Sequence, residues 1–272
     1  MVRPIAFLVG LGFVAALLGA IFTTSLKIEH DPVHEIHKEP KALHLASDGP
    51  LGKFDREQLQ RGFGVYREVC AACHSMKQLS FRNFADLGYS DAQVKAIAAN
   101  WPTQVPSINP DTGEAETRPG LPTDHIPSPY ANDVMARAAN NNALPPDLSL
   151  MAKAREGGPA YIYSLLTGFQ NPPADLPKEL LPAKGLHYNP YFANLNLAMA
   201  PPLHTEGQVT YSDGTKATVD QMSKDVTAFL VWAAEPNLEK RHQTGWAVLA
   251  FLLIATTLAY MAYRNVWAGV KH

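Results

Sequence analysis

Both cysteines of the 272-residue chain fall in one short run, Cys70-Ala-Ala-Cys73-His74. Two thiols three residues apart, followed at once by an imidazole, suit the covalent attachment of a c-type haem. Two thioether bonds would clamp one edge of the macrocycle, and the adjacent imidazole would reach the iron from one face. Rival chemistries fit less well. A redox dithiol would want a parallel βαβ setting that this chain lacks, and a zinc site would want a further Cys or His pair at suitable spacing. A disulfide across a two-residue gap would be unusual. His74 is therefore one candidate iron ligand.

A second axial ligand would have to come from elsewhere. Met76 lies too near the motif to cross a ring, Met261 falls in an apolar run, and Met222 sits on an amphipathic helical face suited to packing. Met135 and Met151 read as packing residues as well. Met199 precedes Pro201-Pro202 in an irregular segment, where the chain is stiff and extended. The residues alone leave Met199, His187 and His204 as alternatives. His/Met ligation would raise the reduction potential, and a filled sixth position favours electron transfer over oxygen chemistry.

The elements that must position these groups are few. Proline occurs 22 times and glycine 18 times, and 17 of the prolines lie between Pro102 and Pro202. Long irregular stretches between few regular elements are expected. Asp55 reads as an N-cap for a helix with Leu59, Phe63, Tyr66 and Cys70 on one face, ending near the cysteines. A second amphipathic helix is predicted over 218–234, with Met222, Val226, Phe229 and Ala233 inward and Pro236 as its stop. Shorter helices are predicted over 91–100, 132–140 and 158–167. One strand is predicted over 209–211, with a turn at 212–214.

Two apolar runs bracket this body. The first, 4–22 after Arg3, reads equally as a retained anchor or a cleaved export signal. The second, 244–263, carries no charge, is about 30 Å long as a helix, and has Trp246 at one end and Tyr260, Tyr263 and Trp267 at the other. It reads as a membrane anchor. Between 30 and 44 lie His30, His34, His37 and His44. Pro32 argues against a helix that would pair His30 with His34, so a solvated linker is the expectation. Lys and Arg total 23 against 25 Asp and Glu, a net charge of −2, which gives nucleic-acid binding no electrostatic footing.

The sequence resembles the cytochrome c1 family from about Gly52 to its end. The resemblance is carried by Gln60-Arg61-Gly62-Phe63-x-Val65-Tyr66 leading into the Cys70 motif, by Ala136-Arg137-Ala138-Ala139-Asn140-Asn141, and by Ala143-Leu144-Pro145-Pro146-Asp147-Leu148-Ser149. Tyr163-Ser164-Leu165-Leu166-Thr167-Gly168, Tyr188-Asn189-Pro190-Tyr191-Phe192, Ala198-Met199-Ala200-Pro201-Pro202 and Phe229-Leu230-x-Trp232-Ala233-Ala234-Glu235-Pro236 complete it. It implies one haem c on Cys70 and Cys73, with His74 and Met199 as axial ligands. It further implies a pocket of Asn140, Pro145, Pro146, Arg155 and Tyr161, with Arg155 as a propionate partner and the prolines as an apolar wall. Some bacterial members carry an extra cysteine pair that this chain lacks.

The expected fold is mainly α, a class I c-type cytochrome-like domain with long proline-rich loops and a C-terminal transmembrane helix. The expected organisation is an apolar segment (1–25), a polar linker (26–51), a periplasmic haem domain (52–240), an anchor (241–264) and a cytoplasmic tail (265–272). The resemblance implies electron transfer from the Rieske iron–sulfur protein to a soluble or membrane-bound cytochrome c, beside cytochrome b, in a dimeric quinol–cytochrome c reductase of the bacterial inner membrane. Asp86, Asp111, Glu114 and Glu116 are candidates for the docking face. A free-standing membrane-anchored shuttle cytochrome is the alternative reading, and a gas-reactive haem protein a more distant one.

Overall fold

The computed structural model describes residues 2–24 and 32–270. The chain forms two units, 1–37 and 38–272. In the first unit, helix α1 (Val2–Thr24) is apolar all round, with a mean hydropathy of 2.6 over its spanning window. A short helix α2 (Pro32–Ile36) follows. Pro32 does not block a helix here but opens one, because proline's missing N–H and fixed φ suit the first helical position. His30 lies outside the described residues.

In the second unit, α3 (Arg56–Glu68) and α8 (Val219–Ala234) cross closely and build the core. Asp55 caps α3, its carboxylate accepting from the N–H groups of Glu57 at 3.0 Å and Gln58 at 3.1 Å. Thr218 caps α8 in the same way through Gln221 N–H at 3.1 Å. Gly62 allows the crossing: a Cβ there would sit 2.0 Å from the Asp225 carbonyl oxygen. Phe63, Tyr66, Phe84, Phe229 and Trp232 then stack around it with ring centroids 4.4–6.4 Å apart. Met76 and Met222 are fully buried in this core, whereas Met135, expected to pack, is exposed.

Polar groups also meet at the crossing. The fully buried Asp225 carboxylate accepts from Gln58 Nε2, Gln221 Nε2 and Arg61 Nε, and Arg61 reaches Asp213 as well. Such a charge is tolerable in the core only because donors surround it.

The helices α4 (Asp91–Ala99), α5 (Asp133–Ala139) and α7 (Gly158–Leu166) lie within a residue of their expected bounds. Asn132 caps α5 by accepting from Met135 N–H at 2.9 Å. A four-residue helix α6 (Met151–Ala154) was not foreseen. Nor were two antiparallel hairpins, β1 (Val105–Ile108) with β2 (Ala115–Arg118), and β3 (His187–Tyr188) with β4 (Asn196–Leu197). Val209–Tyr211 is not a strand, although Gly214 at φ +79° and Asp213, accepting from Thr215 N–H, do form the turn. Val209 is buried against the core, so its apolar character reports packing rather than pairing.

The stretch 38–51, polar in composition and expected as linker, packs on the body: Leu45 is buried and Leu43 lies against the same core. Two leucines anchor it, and isolated apolar residues carry no period to be read. Past Pro236, α9 (Leu238–Trp267) runs 30 residues, about 45 Å, with mean hydropathy 1.9 over its spanning window. Its first turns are fastened to the body, where Glu239 accepts from Phe54 N–H at 2.7 Å and Trp246 Nε1 donates to the Pro50 carbonyl at 3.3 Å. Beyond Trp246 the apolar side chains are exposed over a bilayer's length. The fold is mainly α, with long proline-rich loops and a C-terminal apolar helix that fits a membrane anchor.

Candidate haem site

The last turn of α3 delivers the motif. Cys70–Ala72 winds as a 3-10 turn, the carbonyl of Cys70 accepting from the N–H groups of Cys73 at 3.1 Å and His74 at 2.9 Å. The turn closes on Cys73, three residues after Cys70. The two cysteines are free, not joined to each other. Burial pushes the Cys70 thiol up to about 12, with the neighbouring Cys73 adding to it, so Cys70 stays a neutral thiol.

His74 is held rigidly. Its Nδ1 lies 2.8 Å from the Pro146 carbonyl oxygen. A carbonyl can only accept, so Nδ1 carries the proton and donates, leaving the Nε2 lone pair free for a metal. Burial lowers the His74 pKa against the opposing pull of the Pro146 carbonyl and the Asp147 charge, which favours the neutral imidazole that iron needs. Tyr66 donates from its hydroxyl to the His74 carbonyl at 3.2 Å. The donor set therefore fits a c-type haem: two reachable thiols and one oriented neutral imidazole. Pro146, expected as apolar wall, is exposed here, and its observed contribution is its carbonyl.

Behind His74 a polar clasp joins 75–78 to 146–149. Asp147 accepts from Ser75 Oγ, Lys77 N–H and Ser149 N–H at 2.8–2.9 Å. Leu148 N–H donates to the Ser75 carbonyl at 2.9 Å, and Gln78 N–H donates to Ser149 Oγ at 3.1 Å. Burial would raise the Asp147 pKa, but the donors from Ser149, Lys77 and Ser75 outweigh it and hold the carboxyl below its usual value. A folded-state value below the unfolded one gives stability that is complete above the unfolded pKa of about 4 and is lost as pH falls through the folded value. Asp147→Ala should strand these donors and cost about 2–3 kcal/mol in denaturant unfolding at neutral pH. Its deficit against the parent should shrink below about pH 4, where the parent clasp protonates.

The other expected residues stand as follows. Asn140 caps α5, its Nδ2 donating to the Ala136 carbonyl at 2.7 Å and to Tyr130 Oη at 3.0 Å. On the Tyr130 phenol the Asn140 amide acts to lower the pKa, while burial and the neighbouring Cys73 thiol raise it, and the net shift is upward. The Arg155 guanidinium caps the end of α6 on the Ala154 carbonyl at 3.2 Å. Burial raises the Tyr161 pKa, and the charge of Arg155 partly offsets this. Pro145 is half-buried on the loop before Pro146.

Met199 is half-buried, two residues past β4. The following prolines are fastened by Gln208, whose Nε2 donates to the Pro202 carbonyl at 2.8 Å. The rivals His187 and His204 instead line a cavity of about 640 Å³ with Leu166, Pro201 and Leu203, and none of Cys70, Cys73, His74 or Met199 lines it. Asp111, Glu114 and Glu116 are exposed on the β1–β2 hairpin, and Asp86 is exposed apart from them on the 3-10 segment Phe81–Leu87.

Sequence reasoning missed Tyr130 and Asp147. Tyr130 stands among prolines with no period to mark it. Asp147 had a signal, since Asp two residues before a Ser N–H is an Asx-turn pattern.

Comparison with known proteins shows the family. The profile of the Cytochrome C1 family matches residues 45–270. The chain is 47% identical over 236 residues to cytochrome c1 of Rhodospirillum rubrum, covering 82% of this chain and 86% of that protein. It is 43% identical over 263 residues to the mitochondrial cytochrome c1 heme protein of Kluyveromyces lactis, covering 94% and 88%. It is also 42% identical over 281 residues to cytochrome b/c1 of Bradyrhizobium diazoefficiens, covering 96% of this chain but 39% of that longer protein. Haem c, bound covalently at Cys70 and Cys73, is the cofactor. The chain belongs to the cytochrome c1 family, the haem-carrying electron-transfer subunits of the cytochrome bc1 complex.

Proposed function

We propose that this chain takes one electron at a time from the Rieske iron–sulfur protein and passes it to a soluble or membrane-bound cytochrome c, within the quinol–cytochrome c reductase of a respiratory or photosynthetic chain. The observation that carries this reading is the His74 Nδ1 bond to the Pro146 carbonyl, which fixes one neutral imidazole for an iron. Met199 from the strap after β4 completes the pair of axial ligands. When bound, the haem supplies a one-electron couple. The chain positions that couple, sets its potential through the axial pair, and keeps other ligands away.

No side chain here performs acid–base chemistry. Pro145 and Pro146 shield the motif side, Tyr130 and Asn140 brace Cys73, and Arg155 offers a guanidinium to a propionate. The haem body stands on the periplasmic side of the bacterial inner membrane, held by α9, with cytochrome b as neighbour in a dimeric complex. The relative named cytochrome b/c1 supports that neighbour. The acids of the β1–β2 hairpin offer a docking face to a basic partner.

The test is a reduced-minus-oxidised optical spectrum of native membranes after quinol is added, with and without an inhibitor of quinol oxidation. Fast reduction of this haem, blocked by the inhibitor, is expected. Reduction by ascorbate but not by quinol would overturn the partner assignment in favour of a free-standing shuttle.

A further inference from the structure

The segment Lys38–Lys41 makes a set of contacts that its polar composition does not announce. Lys38 N–H donates to the Pro190 carbonyl at 2.8 Å. Pro40 lies against Gly157, where a Cβ would come within 2.9 Å of Pro40 Cγ and 3.3 Å of Tyr161 Cβ. Lys41 N–H donates to Ser164 Oγ at 2.7 Å, and its Nζ donates to Thr167 Oγ1 at 2.7 Å and to the Thr167 carbonyl at 3.2 Å. The same ammonium stands 5.3 Å from the Tyr191 ring centre and 5.9 Å from that of Tyr163. The segment therefore runs the length of α7, from its first turn to its last carbonyls, and reaches across to the loop 189–195.

That loop leads to Met199, which follows Tyr191 by eight residues. It is gripped from inside by the fully buried Asn189, whose Nδ2 donates to the Leu165 carbonyl at 2.8 Å and whose N–H donates to the Leu195 carbonyl at 2.7 Å. Leu195 holds φ at +65°, a conformation that costs a branched side chain energy and persists only under outside restraint. On its other side the loop meets Lys38 at the Pro190 carbonyl and Lys41 at the Tyr191 ring. Partial burial lowers the Lys41 pKa, the Asp220 charge opposes this, and the neighbouring Lys38 adds to the lowering.

We propose that Lys38–Lys41 is a positioning strap for the sixth ligand, in which Lys41 clamps the Tyr191 loop onto the end of α7 and so keeps Met199 seated. The proposal rests on Met199 being that ligand. Loss of one hydrogen bond to a charged group corresponds to about tenfold in the opening of such a segment.

The test uses the full-length haem-loaded protein in detergent and two readouts, the ferric Met–iron charge-transfer absorption and carbon monoxide binding to the ferrous form. Lys41→Met keeps the apolar stem but removes the charge and its donors. It should weaken the band and raise the carbon monoxide-accessible fraction about tenfold, well below the unfolding temperature. Lys41→Arg should restore both. Arg56→Ala, which breaks an ion pair to Glu239 at the anchor end, should change neither.

If Lys41→Met only lowers the unfolding midpoint while band and carbon monoxide binding stay as in the parent, the strap is merely structural and the proposal fails. If Lys41→Met does not take up haem, Thr167→Val removes the 2.7 Å bond from Lys41 together with the hydroxyl's own 2.9 Å bond to the Tyr163 carbonyl, leaves the Lys41 bond to the Thr167 carbonyl, and should shift both readouts the same way by less; no shift there overturns the proposal. A parent protein that itself lacks the band would sink the Met199 assignment, and this proposal with it.

Discussion

With Met199 replaced by leucine, the ferrous protein is expected to bind carbon monoxide readily, where the parent binds none. Leucine nearly matches methionine in volume, so the strap keeps its packing and only the thioether sulfur is lost. Its fastening also survives, because Gln208 holds the Pro202 carbonyl through the backbone. The loss of a thioether, which favours reduced iron, should lower the reduction potential by on the order of 0.2 V, part of the roughly 0.8 V that axial ligands span. Electron delivery from a high-potential donor would then stall while the haem stays covalently attached. Carbon monoxide titration and a redox titration of the same sample check both effects. His187→Ala and His204→Ala, altering the wall of a separate cavity, should move neither.

The largest expected effect on stability lies at Gly62. An alanine there would place its Cβ 2.0 Å from the Asp225 carbonyl oxygen and 2.8 Å from Phe229 Cβ. These atoms belong to the backbone and the root of a helix, so no rotamer change relieves the clash. The two helices must separate, and with them the aromatic stack and the donors around Asp225. Gly62→Ala should cost about 3 kcal/mol or more, beyond the gain in helix propensity of about 1 kcal/mol. Two residues away, Gly64 meets nothing closer than Val209 Cγ1 at 4.0 Å. Gly64→Ala should therefore be neutral or stabilising by up to about 1 kcal/mol. Guanidinium unfolding of the two variants gives the comparison. Because α3 ends on Cys70, Gly62→Ala should also reduce haem incorporation.

What could be read from the sequence was what is local. The Asp55 cap, the apolar faces of α3 and α8, the Pro236 stop and the Cys70 motif all lie within a few residues of their own partners. Spacing alone exposes them. The hairpins escaped because β1 carries Pro106 and pairs with a largely exposed β2, while β3 and β4 are only two residues each, too short for an alternation to mark them. Asp147 joins Ser75, and Pro146 joins His74, each from 72 residues away. Such contacts follow from how the loops fold back over α3, which no local pattern encodes. Lys41 is the clearest case: a lysine in a polar run reads as solvated until Thr167 and Tyr191 are found beside it.

The central claim is that His74 and Met199 hold the iron between them. Near-infrared magnetic circular dichroism of the purified ferric protein tests it most directly, because thioether and imidazole ligands give separate charge-transfer bands. The account predicts the thioether band in the parent, retained in His187→Ala and His204→Ala and absent in Met199→Leu. A bis-imidazole band in the parent, or a thioether band that survives Met199→Leu, would contradict it.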